Sequence, residues 1–275
     1  MSKETNSFPI VSLDYWSDFA KELAKIATLN PDSKILDVGT GAGACLIAVS
    51  EVLGKKCQLV GIDKNGFKIS QTRNKFKDIA IKNAEFQIMD ASNLRFENNS
   101  FDNILCGFIG FDDIFDFSSN QFIDKNAKMK EIFRVLKPGG EAAFSTWAYQ
   151  QDIETARGLL QKYLRDKNIK KLDEIENLSI SYSKESIDGF KLIMEDAGFS
   201  KIRISSKDFH IIYRTIDEWW EVMENSAWIL RYTLDRNPNK LIDLKKTTLP
   251  QGIESFKKKG AYIFQKSVIF AFGMK

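Results

Sequence analysis

Cysteine and histidine are scarce: the chain has three cysteines and one histidine in 275 residues. Cys45, Cys57 and Cys106 stand in apolar stretches, share no metal-ligand spacing and are odd in number. A disulfide framework or a metal site is therefore not expected, and a reducing compartment is. No apolar run approaches the roughly eighteen residues that a membrane-spanning helix needs. Met1–Ser7 lacks the apolar core of a signal peptide, so the expectation is no membrane span and a cytoplasmic address. Charge of one sign is lacking too. Forty basic against thirty-seven acidic side chains leave a formal charge of +3, too little to imply a nucleic-acid partner. Lys257-Lys258-Lys259 reads as a solvated helix end, and His210, late in an expected strand, reads as structural rather than as a general base.

What is present is a core-forming composition, 43% hydrophobic, enough for one large domain or two small ones. It is organised around Ile35-Leu36-Asp37-Val38-Gly39-Thr40-Gly41-Ala42-Gly43. A short apolar run ending in an acid and three alternating glycines, followed by helical periodicity from Ala44, predicts a buried strand, a tight turn and a helix start. Such a loop lets a ligand approach the backbone beside the free N–H groups of the helix. Gly39-x-Gly41-x-x-Ala44 loosely fits a dinucleotide fingerprint. Asp37 points elsewhere, because a carboxylate there repels a pyrophosphate and welcomes a cation.

Two more acids follow at strand ends. Gln58–Asp63 reads as a second strand closed by Asp63, about twenty residues past the last glycine, where a carboxylate accepts from both ribose hydroxyls of an adenosine. The stem of Lys64 is placed to lie against the adenine. Ala84–Asp90 reads as a third strand, and Asp90 followed by the small residues Ala91 and Ser92 suits an adenine amine. Three successive strands ending in Asp argue for one shared ligand edge.

Asp-x-Gly-x-Gly-x-Gly resembles motif I of the class I S-adenosylmethionine-dependent methyltransferases. Leu136-Lys137-Pro138-Gly139-Gly140 between a helix and a strand resembles their post-motif. Ser145-Thr146-Trp147 resembles the small-molecule branch called type 11, related to the quinone C-methyltransferases. The resemblance covers roughly residues 30 to 150. It implies S-adenosylmethionine as cofactor, S-adenosylhomocysteine as product and a small-molecule acceptor. It also implies an α/β fold: a Rossmann-like seven-stranded mixed sheet, last strand antiparallel, with helices on both faces and a helical lid insertion. Cofactor-binding residues carried over are Asp37, Gly39, Thr40, Gly41, Asp63, Lys64, Asp90, Ala91 and the backbone of Cys106 and Gly107. The segment Cys106–Phe111 has no Asn-Pro-Pro-Tyr tetrad, which argues against methylation of nucleic-acid amines. Tyr15, Phe111, Trp147 and Trp220 are the candidate acceptor-pocket residues; no catalytic residue is assigned.

The expected layout is one methyltransferase domain over residues 1–275. It has an N-terminal helical cover (1–29), a cofactor-binding core (30–150), a helical insertion (151–182) and the C-terminal part of the sheet (183–275) with a lid at about 214–260. Helical spacing spans Leu13–Leu29, Phe67–Phe76, Asn126–Val135, 152–175 and Ser183–Ala197, and the final strand is expected at Ile263–Phe272. Pro138-Gly139-Gly140 reads as a turn ahead of the strand Glu141–Trp147, and Thr215 with Glu218 as a capping box opening a helix that carries Trp219 and Trp220. Trp228 and Tyr232 follow in the same insertion. An NAD-dependent oxidoreductase and a non-catalytic nucleoside-binding protein are the alternatives.

Overall fold

In the computed structural model, which describes residues 10–11, 13–54, 56–168, 185–226 and 237–275, apolar strands alternate with amphipathic helices. A short β1 (Ile10–Val11) and α1 (Tyr15–Ile26) precede β2 (Lys34–Val38), α2 (Ala44–Leu53), β3 (Gln58–Asp63), α3 (Gly66–Asp78), β4 (Ala84–Ile88) and β5 (Phe101–Gly107). There follow β6 (Phe115–Asp116), β7 (Gln121–Phe122), α4 (Ala127–Val135), β8 (Leu136–Gln150), α5 (Gln151–Asp166), α6 (Ile187–Ala197) and β9 (Ser200–Tyr213). The chain ends with α7 (Ile216–Ser226), α8 (Pro238–Gly252), β10 (Lys257–Lys258) and β11 (Ala261–Met274). The parts of the expected helices at 169–175 and 183–184, and Trp228 and Tyr232, lie outside the described residues.

The described residues form two compact units. The first holds residues 14–147, 185–207 and 268–275. Its seven strands run in the order β4-β3-β2-β5-β8-β11-β9, with β4, β3, β2, β5 and β8 parallel and β11 antiparallel. Register places Asp37 opposite Gly61 on one side and Leu105 on the other, so the ends of β2, β3 and β5 are level. Alternate residues of a strand face opposite layers. Leu36 and Val38 join a core with Met129 and Ile132 of α4 and Phe190 and Ile193 of α6. Asp37 faces the opposite layer, where α1 packs on α2.

One expectation is corrected here. Pro138-Gly139-Gly140 falls inside β8 rather than ahead of it, yet it interrupts the ladder as a turn would: residues 137–140 lie between the pairs Leu136↔Phe101 and Glu141↔Asn103, with Gly139 at φ +77°. A Cβ on Gly140 would lie 2.6 Å from the Asp102 carbonyl oxygen, so glycine is what lets the strand pass there. The last residues of the chain complete the ladder, Gly139 N donating to Lys275 O at 3.0 Å and Lys275 N to Gly140 O at 3.2 Å.

The second unit holds the described residues of 10–13 together with 148–168, 208–226 and 237–267. Here β1 runs parallel to the outer half of β9, and β10 pairs with β11. Helix α5 packs against α7 and α8. Trp219 is fully buried and stacks on Phe264. The capping box forms on one side, with Glu218 N donating to the Thr215 hydroxyl at 3.0 Å; the Glu218 carboxylate takes the N–H of Arg214 instead of Thr215. Its polar centre is Asp152, 0% exposed, which accepts from Lys266 Nζ at 2.8 Å and from the Tyr213 hydroxyl at 2.8 Å. Burial pulls the Lys266 ammonium below the usual lysine range.

Breaking one side of a buried pair strands the other charge, which costs more than the pair contributes. Lys266→Ala should therefore lower unfolding free energy by about 3–5 kcal/mol. The double variant Lys266→Met with Asp152→Leu should lose clearly less, as read by denaturant titration.

Candidate active site

The glycine turn between β2 and α2 opens onto a cleft of about 810 Å³ at the carboxyl ends of the parallel strands. Gly39, Gly41 and Gly43 take φ of +75°, +51° and +78°, a region that side chains rarely adopt. They serve different ends. A Cβ on Gly39 would lie 2.2 Å from Ile109 Cγ2 and one on Gly43 2.5 Å from Phe76 Cε2, so the protein itself fills the room those two leave. At Gly41 the nearest neighbour would be 3.8 Å away, so this is the glycine that opens backbone to the cleft.

The three strand-end acids gather around this turn. Asp37 is 1% exposed and lines the cleft, yet its Oδ2 has no hydrogen-bond partner among the described residues. Burial is the main cause that raises its pKa to about 7; the Thr40 hydroxyl opposes the rise and the Asp63 carboxylate adds to it. An unpaired, desolvated carboxyl is costly to ionise unless a cation joins it. Asp63 is tied down: Oδ2 accepts from Gly41 N at 3.1 Å and Oδ1 from Asn65 N at 2.8 Å, which locks the turn to β3. Asp90 accepts from Ser92 N at 2.7 Å, and that bond, with Lys64 and Lys128 nearby, holds its carboxyl below the usual range. Thr40, Lys64, Ala91 and Gly107 line the same cleft. Cys106 does not; it is buried beneath, its thiol pushed up by burial. Among the described residues no cluster could hold a metal ion.

The aromatic residues fall differently from expectation. Phe111 packs in the core against Phe144 and Phe190 rather than in the cleft. Tyr15 is buried, and its neighbour Trp16, 45% exposed, lines the cleft in its place. Trp147 stands behind that wall, its ring 4.5 Å from Phe108 and 5.8 Å from Trp16. Trp220 belongs to the other unit, buried on α7. His210 is also in that unit, half-buried on β9.

The cleft is also lined by residues outside the expected site set, among them Trp16, Phe108, Ile109, Asp113, Lys128 and Ser145. Phe108 is notable for φ +56°, a strained value for a bulky residue. Its N–H is held by Ser145 O at 2.8 Å, and Lys128 Nζ donates to Gly110 O at 3.0 Å two residues on. Nothing in the sequence pattern flags a left-handed phenylalanine. Trp16 carried a signal, since it adjoins Tyr15 on an amphipathic helix and only the helix phase decides which of the two faces outward.

The chain matches the family described as a methyltransferase domain over residues 29–198, more than half its length, and belongs to that family. It is 31% identical over 132 residues to a demethylmenaquinone methyltransferase of Bacillus cereus, a match covering 48% of this chain and 52% of that protein. The chain thus spans about half the length of that relative. A demethylmenaquinone methyltransferase of Staphylococcus saprophyticus is 28% identical over 204 residues, covering 72% of this chain and 83% of the relative. Among solved structures, the YcgJ protein of Bacillus subtilis shares the fold with a TM-score of 0.58 at 20% identity, over 94% of this chain and 98% of that one.

Asp37 also gives a test in the ligand-free protein. Its folded pKa of about 7 lies above the unfolded value near 3.8, so the folded state binds the extra proton between those values and gains stability as pH falls through about 7. Asp37→Asn removes the buried charge and should raise the melting temperature at pH 8 by at least about 2–4 °C, roughly 1 kcal/mol. The gain should shrink steadily as pH falls from about 7 and vanish only near the unfolded value, about pH 4. Thermal melts of both proteins across that range provide the check.

Proposed function

We infer that the protein is an S-adenosylmethionine-dependent methyltransferase acting on a small-molecule acceptor, in the branch that includes the quinone C-methyltransferases, in a reducing cytoplasm. The observation that carries this is the buried Asp37 carboxyl, whose Oδ2 has no partner among the described residues, in a cleft whose other strand-end groups are also acids. A dinucleotide would bring a pyrophosphate to that point and be repelled. A ligand with an ammonium and a sulfonium neutralises it.

In this reading Asp37 takes the cofactor ammonium, with the Gly39-Thr40-Gly41 backbone beside it. Asp63 accepts from the ribose hydroxyls, and Lys64, Asp90 and Ala91 border the adenine. When bound, S-adenosylmethionine supplies an electrophilic methyl group. The chain's contribution is then positional: Gly107, Phe108 and Ser145 bound the space where an acceptor must lie, and the aromatic side chains of Trp16 and Phe108 border it, a lining suited to a flat, π-rich molecule. An apolar wall also keeps water from competing for the methyl group. The names of the matched relatives make a reduced quinone ring the first acceptor to try. A nucleoside-binding protein without chemistry shares the acids and lacks the turnover.

The experiment is transfer of a labelled methyl group from S-adenosylmethionine to a panel of demethylmenaquinol, catechol and primary amines. Turnover with at least one is expected. No turnover, despite tight S-adenosylhomocysteine binding, would leave the non-catalytic reading standing. A thermal shift with S-adenosylhomocysteine and none with NAD is expected alongside. Asp63→Ala should weaken S-adenosylhomocysteine binding at least tenfold, since hydrogen bonds to a charged group contribute about 1.5–3 kcal/mol; unchanged affinity by calorimetry would refute that role.

A further inference from the structure

Outside the cleft, the first unit holds one more carboxyl that its surroundings do not satisfy. Glu185 is 2% exposed and its Oε2 has no hydrogen-bond partner among the described residues. Its Oε1 accepts the N–H of Phe111 at 3.0 Å, and its own N–H donates to the carbonyl of Trp147 at 3.0 Å. One residue therefore joins the end of β8 to the turn after β5. Those two segments carry Trp147 and Phe108, rings in contact at a tilt of 41° behind and within the cleft wall.

We propose that Glu185 is a positioning residue for the methyl acceptor, clamping the Phe108–Phe111 turn so that the strained Phe108 ring stays against the acceptor space. This rests on the methyltransferase reading above. A left-handed phenylalanine persists only where the surroundings over-determine it. Three ties do so: Phe108 N to Ser145 O, Gly110 O to Lys128 Nζ and Phe111 N to Glu185. The third is the only one of these made by a buried acid. A neutral acceptor could hold one N–H without the cost of a desolvated carboxyl and an unpaired oxygen. An ionised acid holds it harder, because a charged acceptor roughly doubles the strength of a hydrogen bond.

The charged and titratable groups that face Glu185 are Asp112 on the same turn, which opposes its ionisation, Lys128 on α4, which favours it, and the thiol of Cys106 on β5. Burial is the largest influence and lifts its pKa to about 7, against the Thr146 hydroxyl and the Phe111 N–H. The clamp is thus tight above about pH 7 and slackens below it, so acceptor affinity falls as the medium becomes acidic.

The test uses the full chain saturated with S-adenosylhomocysteine and 1,4-naphthoquinone as a flat probe, followed by tryptophan fluorescence. Glu185→Ala should weaken the probe at least fivefold while S-adenosylhomocysteine affinity stays within twofold; a merely structural role would lower both together. Glu185→Gln, whose neutral amide oxygen still accepts from Phe111, should bind the probe about as the wild type does at pH 6, between the wild type at pH 8 and Glu185→Ala. It should also abolish the two- to fivefold loss that the wild type shows from pH 8 to pH 6. In the wild type the Phe111 amide resonance should titrate near pH 7, and in Glu185→Gln it should not. Failure of S-adenosylhomocysteine to bind the wild type sinks the methyltransferase reading itself. Binding of it with a Phe111 amide that does not titrate, or with equal probe affinity in all three proteins, overturns the role of Glu185 alone.

Discussion

A carboxyl buried without a counter-charge is the constraint on which the site depends. Asp37 sits at the end of a central strand, shielded from water, with Asp63 as its near electrostatic neighbour. Such a group is an expense in the empty protein and becomes an asset once a cation joins it. The rest of the cleft follows from keeping that carboxyl where a ligand can reach it. Gly41 gives access, Asp63 fixes the turn by its bond to Gly41 N, and Ile109 packs over Gly39 from the far side.

The sheet makes this arrangement possible. Parallel strands in level register deliver their carboxyl ends to one edge, so acids far apart in sequence become neighbours. The ladder between β3 and β4 sets Asp63 opposite Ile88, two residues before Asp90, and that between β5 and β8 sets Gly107 opposite Ser145. The residues proposed for the cofactor thus come from the β2–β3–β4 side and the proposed acceptor wall from the β5–β8 side. The wall is held by backbone bonds around a strained turn, which is where a site that must present a ring at a fixed angle stores its cost.

Much of the cofactor side was legible because it is written in local pattern. A strand that ends in an acid and meets alternating glycines has few meanings, and repetition of the acid at two further strand ends narrows them. The acceptor side was not legible in the same way. Phe108 and Phe111 are both aromatic and three residues apart; which one faces the cleft is decided by the left-handed backbone at Phe108, and composition carries no trace of it. Tyr15 and Trp16 differ by one helical step, and the phase of α1 against β8 chose Trp16. Glu185 stands alone ahead of α6 and acquires meaning only when Trp147 and Phe111 are brought to it. Pro138-Gly139-Gly140 carried a turn signal that persists as the interruption between the pairs Leu136↔Phe101 and Glu141↔Asn103.

The central claim is that Asp37 recognises the cofactor by its ammonium, and calorimetry against pH addresses it most directly. S-adenosylhomocysteine carries that ammonium and 5′-methylthioadenosine lacks it, while both present the same nucleoside to Asp63 and Asp90. If Asp37 must ionise to bind, S-adenosylhomocysteine affinity holds steady above about pH 7 and falls toward tenfold per pH unit below it, and methylthioadenosine affinity stays nearly flat. Equal pH dependence for the two ligands, or none for either, would contradict the account.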